Sequence, residues 1–80
     1  MSITTTVIEA KQGHLDSVRE YLKEFDEIDI YGENAAANKI LVTIDADDKR
    51  IEELGKVLAK HNGVLDVLNH SIFFEDALNT

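Results

Sequence analysis

Apolar and polar residues follow two rhythms along this chain, and the changes between them mark its elements. Ile3 to Ala10 is rich in Thr, Val and Ile, which favours a strand, and Gln12-Gly13 breaks it. Apolar residues then recur at Leu15, Val18, Leu22 and Phe25, steps of three, four and three that predict one helical stripe. Asp16, Arg19, Glu20, Lys23 and Glu24 fill the opposite face. Glu27 to Tyr31 (EIDIY) alternates strictly and predicts a second strand, with Gly32 to Asn38 (GENAAAN) as a turn or short loop. Lys39 to Ala46 is the third and clearest strand. Asp47 or Asp48 caps the next helix, whose apolar face runs Ile51, Leu54, Leu58 and His61, with Lys56 and Lys60 suiting its C-terminal end. Asn62-Gly63 stops it. Val64 to Phe74 is a last extended run, followed by an acidic tail, EDALNT.

The order is βαββαβ, the ferredoxin-like α+β pattern. Right-handed crossovers put both helices on one face of a four-stranded antiparallel sheet, with strand order 4132. The expectation is one domain over residues 1–80, with the acidic tail at about 75–80.

Two helices leave one face of the sheet uncovered. Successive side chains of a strand point to opposite faces, so the core side takes Ile40, Val42, Ile44 and Ala46. Ile28, Ile30, Ile8 and Ala10 join them, with Thr6 and Thr4 toward the strand end. The open side then receives Ile3, Thr5, Val7 and Glu9 from the first strand, Asp29 and Tyr31 from the second, and Leu41, Thr43 and Asp45 from the third. Along the third strand this side runs apolar, hydroxyl, carboxylate. That sequence suits a partner that is partly apolar and carries positive charge. Two plainer expectations compete: a half-hydrated sheet using β-branched residues for propensity, and a homodimer burying the same patch. The last strand has a divided phase, Leu65 and Val67 against Leu68, His70 and Ile72, as a β-bulge would produce.

A net charge of −8 repels phosphate backbones and anionic lipid, which argues against nucleic-acid and membrane partners. With no cysteine there is neither a disulfide framework nor a thiolate metal site. The start, MSITTTVIEAK, lacks the basic segment and apolar core of a secretion signal, and no apolar stretch approaches membrane-spanning length, so a cytoplasmic protein is expected. Nothing spaces His14, His61 and His70 as metal ligands, and His61 reads as a helix-end residue satisfying carbonyls. Gly13, Gly32, Gly55 and Gly63 are isolated and form no phosphate cradle. The glycine-rich loop with which acylphosphatases of this fold open an arginine site is absent. The strand aromatics with which RNA-binding versions stack bases are replaced by Thr, Val and Leu. Asp47-Asp48 is explained by capping. Neither catalysis nor a cofactor is expected.

The strand SITTTVIEA, the segment FDEIDIYG, the stretch KILVTIDADD and the ending NGVLDV…FFED, in that order and spacing, resemble the NapD family from about Ser2 to Asp76. The resemblance implies a small cytoplasmic chaperone of the ferredoxin-like fold. Such proteins bind the twin-arginine signal peptide of the catalytic subunit of periplasmic nitrate reductase, delaying export until its molybdenum cofactor is inserted. This chain departs from the family pattern at Asp26-Glu27 and Asn62-Gly63, where Pro-Gly is common. It also places Ser71-Ile72, with His70 just before, where Tyr-His is usual. On this reading the peptide's apolar side chains lie on Val7, Leu41 and the Thr5 and Thr43 methyls, and its arginines meet Glu9, Asp29 or Asp45. The protein is then a monomer or weak homodimer. The alternatives are a regulatory small-molecule domain of the ACT type and a non-catalytic dimerisation module.

Overall fold

The computed structural model describes residues 2–69. Its elements are β1 (Ser2–Ala10), α1 (Leu15–Leu22), β2 (Ile28–Asn34), a short 3-10 turn (Ala35–Ala37), β3 (Lys39–Ala46), α2 (Asp48–Ala59) and β4 (Val64–Asn69). The four strands form one antiparallel sheet in the order β2-β3-β1-β4, the 4132 order expected for a ferredoxin-like α+β chain. His70, Ser71, Ile72, the rest of the extended run to Phe74 and the acidic tail lie outside the described residues.

One apolar layer holds this arrangement together. Val18 and Leu22 of α1 and Ile51, Leu54 and Leu58 of α2 are buried against Ile8, Ile40, Val42 and Ile44 of the two central strands. Burial along β3 alternates residue by residue, with Ile40, Val42, Ile44 and Ala46 all inside. β1 behaves likewise: Thr4, Thr6, Ile8 and Ala10 are buried and the residues between them are not. Asp47 is the α2 cap, its Oδ1 accepting the Arg50 amide at 2.8 Å.

Both edge strands carry an extra residue. In β2, Ile30 opposes Val42 and Gly32 opposes Leu41, so Tyr31 is the unpaired residue of a bulge. β2 thereby runs on to Asn34 through residues that the sequence pattern had assigned to a loop, with its alternation rephased. Glu33 now falls on the helix side, where it meets Arg19 of α1. In β4, Asp66 opposes Glu9 and Val64 opposes Ala10, which leaves Leu65 over. The bulge expected in the last strand is therefore present, and Val67 packs toward the core beside Ile8.

α1 ends at Leu22, short of Phe25, but Phe25 still packs against the core, edge-on to Tyr21 with ring centroids 5.2 Å apart. His61 lies beyond the end of α2 rather than on its last turn. Its ring stacks on Tyr21 at 4.2 Å, and its Nδ1 accepts the Gly63 amide at 3.0 Å. It thus satisfies an amide rather than the carbonyls its position had suggested, because the chain has already turned toward β4.

Gly63 does more than end a helix. A Cβ built there would lie 3.0 Å from Val18 Cγ2 and 3.1 Å from His14 Cβ, so the first turn of α1 sits almost on this backbone. Its carbonyl accepts the Lys11 amide at 2.8 Å, tying the two connections together. Gly63→Ala is expected to cost about 1–3 kcal/mol by overpacking. Urea unfolding at neutral pH reads this directly, and a midpoint equal to that of the unaltered protein would contradict the close approach.

Candidate functional site

The side of the sheet away from α1 and α2 is covered by no described element. The register assembles its centre: Thr5 opposes Thr43, and Val7 opposes Leu41. All four are half-buried by their neighbours alone. Ile3, opposite Asp45, is 65% exposed, and Tyr31 on its bulge is 77% exposed. Large apolar side chains this open on one face are costly in a small domain unless something rests on them. Asp29, opposite Thr43, and Asp45 are exposed at one end of the patch, and Glu9 is half-exposed at the other. The register thus brings together eight of the nine residues expected on this face, while Tyr31 falls on the β2 bulge.

Sequence reasoning missed two members. Leu68 of β4 opposes Val7, which extends the apolar strip across a third strand. Its phase was hidden by the extra residue Leu65. Lys39 opposes Glu9 and places the one cation of this register beside the patch. The alternation of β3 alone puts Lys39 on the same side as Leu41, so that signal was available. Val7, Leu41, Lys39, Gly32, Glu33 and Asn34 line a shallow hollow of about 330 Å³. Gly32, which carries no side chain, keeps the hollow open beside Leu41.

Two acids elsewhere, Glu33 and Glu27, are already engaged by arginines. Glu33 accepts Arg19 Nε and Nη2, each at 2.8 Å, in a bidentate pair, and Arg19 also reaches Asp16 at 3.0 Å. Glu27 accepts Arg50 Nε at 2.7 Å and so joins β2 to α2. Hydrogen bonding from Arg19 holds the Glu33 carboxyl below its usual value, and Arg50 does the same for Glu27. Both arginines are correspondingly held more firmly in their charged form, chiefly by these carboxylates. By contrast, neither Asp29 nor Asp45 has a cationic partner among the described residues. The two stand diagonally across the β2–β3 ladder, roughly 7–8 Å apart at their Cα atoms. Like charges so placed oppose folding slightly, and a guanidinium set between them would remove that opposition.

Among the described residues, no group of three or more His, Asp or Glu side chains is placed to hold a metal ion, and no helix is long and apolar enough to cross a membrane. A second hollow of about 340 Å³ lies on the helix side, lined by Thr6, Ile44, Ile51, Gly55 and Val67 among others. It lies across the sheet from Asp29 and Asp45, so it shares nothing with the open patch.

The NapD protein family model matches residues 1–77, so the chain belongs to the NapD family, a family of chaperones. Among solved structures, the chain is similar to that of the E. coli Tat proofreading chaperone protein NapD, determined in solution. The TM-score is 0.78 at 19% sequence identity, over 85% of this chain and 73% of that one. This likeness establishes the shared fold. No curated protein sequence matches the chain.

The depressed Glu33 carboxyl fixes the sign of one pH effect. Its folded value lies below the ordinary 4.5, so the stability it supplies is complete above that pH and is lost as pH falls through the folded value. Glu33→Gln is expected to lower the melting temperature at pH 7, with the gap narrowing as the pH falls below 4.5. A gap that stays constant or widens on acidification would mean that the Arg19 pair does not persist in solution.

Proposed function

We propose that this chain is a cytoplasmic assembly chaperone that holds the twin-arginine signal peptide of the catalytic subunit of periplasmic nitrate reductase on its open sheet face. It would thereby delay export until the molybdenum cofactor is inserted. Membership of the NapD family supports the chaperone role. One feature of the chain carries the choice of site: half-buried Val7, Leu41, Thr5 and Thr43 lie at the centre of a face whose exposed carboxylates lack cationic partners among the described residues. A twin-arginine signal has the complementary make-up, a basic segment followed by a moderately apolar one.

The energetics are adequate for a shallow site. A few hundred Å² of apolar surface at about 25 cal/mol per Å² contributes several kcal/mol before ordering costs. Arginine–carboxylate pairs add charge-assisted, bidentate hydrogen bonds and speed encounter with an acidic surface. Together these reach dissociation constants of about a micromolar or lower. The role needs no catalytic group. Occupying the signal is enough to withhold it from the export machinery.

Leu41→Asp and Asp45→Lys are expected to weaken binding of a synthetic twin-arginine peptide about tenfold or more each. Glu24→Lys, the same kind of charge change on the turn after α1, serves as the control and is expected to bind normally. Titration calorimetry gives the affinities, and far-UV circular dichroism verifies the folds. Folded Leu41→Asp and Asp45→Lys proteins that bind like the unaltered one would move the site off this face.

A further inference from the structure

We infer that the open face is directional and seats its guest one way round, with guanidinium groups over Asp29 and Asp45 and the apolar body running toward Val7, Leu41, Leu68 and the hollow beside Lys39. This rests on the proposed reading of the face as a signal-peptide site. It adds which end of the peptide goes where and which carboxylates read the arginines.

The asymmetry comes from the β1–β3 register. At one end of the face, Asp45 lies opposite Ile3 and diagonally across from Asp29, with no cation in register. At the other end, Glu9 lies directly opposite Lys39 of β3 and, on its other side, Asp66 of β4. Directly opposed residues of an antiparallel pair have side chains close enough for opposite charges to offset each other. The two ends are therefore unequal: Asp29 and Asp45 stand together with no cation in register, whereas the Glu9 end also carries Lys39.

Apart from Ile3, which lies opposite Asp45, the apolar features are displaced the opposite way. Val7, Leu41 and Leu68 align across three strands on the Glu9–Lys39 side of the Thr5–Thr43 pair. The hollow that adjoins them is bordered by Lys39 itself. A cationic segment laid there would meet an ammonium group, while an apolar side chain finds Val7, Leu41 and the space over Gly32. From Asp45 to Lys39 the strand spans roughly 20 Å, at about 3.4 Å per residue. That length holds the basic segment and the beginning of the apolar segment together, since in such signals the basic residues come first. Charge complementarity and apolar burial thus select the same orientation, with the peptide's N-terminal side toward Asp29 and Asp45.

The test attaches a nitroxide to either end of a twin-arginine peptide and reads amide line broadening in the uniformly ¹⁵N-labelled full chain. The N-terminal label is expected to broaden Ile3, Asp29 and Asp45, and the C-terminal label to broaden Asn34, Lys39 and Val7. The reverse pattern, or equal broadening at both ends from either label, overturns the inference and leaves the peptide site standing. A peptide that does not bind at all brings down the site and the orientation together. Neutralising variants supply a second reading. Asp29→Asn with Asp45→Asn is expected to weaken binding about tenfold and to flatten its salt dependence, whereas Glu9→Gln is expected to change it less than about threefold. A larger loss from Glu9→Gln than from the double variant would place the arginines at the wrong end.

Discussion

One-sided burial of the central strands is the constraint on which everything else in this molecule depends. α1 and α2 close over the same face and bury Ile8, Ile40, Val42 and Ile44 beneath Val18, Leu22, Leu54 and Leu58, as right-handed crossovers would place them. Among the described residues, nothing covers the second face of β1 and β3. What occupies its positions then becomes informative. Val7 and Leu41 are poor choices for a hydrated surface, and Asp29 and Asp45 are placed where they repel each other rather than where they stabilise the fold.

The edge strands show how that constraint is maintained. A strand whose alternation slips by one residue would turn its apolar set outward. β2 and β4 each absorb one extra residue, Tyr31 and Leu65, and resume the phase that the central strands impose. In β2 this also sends Glu33 to the helix side, where Arg19 captures it. Glu27 is captured in the same way by Arg50. Glu27 and Glu33 are thus bound to arginines of the helices and tie layers together, whereas Asp29 and Asp45 face outward over the patch. Net charge alone conceals this division.

Much of this was legible in the residues, for a physical reason. β3 is a central strand, so its period of two is written without interruption from Lys39 to Ala46, and its bounds follow directly. The same alternation agrees with the register for eight of the nine residues expected on the open face, Tyr31 falling on the β2 bulge. Edge strands are harder to read, because a bulge changes the phase without changing composition. Gly32 to Asn34 therefore looked like loop, and Leu68 had no settled side. The close approach of α1 to Gly63 and the stacking of His61 on Tyr21 depend on contacts between elements distant in sequence, for which no local pattern exists. The placement of Lys39 and Asp66 opposite Glu9 needed the register as well as the pattern, and so the difference between the two ends of the face emerged only with the fold.

The central claim is that the helix-free face receives a basic, partly apolar peptide. Amide chemical-shift mapping in ¹⁵N-labelled protein during titration with a twin-arginine peptide addresses it most directly. The account predicts that the largest shifts fall on β1 and β3 residues from Ile3 to Glu9 and from Lys39 to Asp45, with α1 and the outer side of α2 nearly silent. Shifts concentrated on the helices, or on the hollow between α2 and β4, with the central strands unmoved, would contradict it.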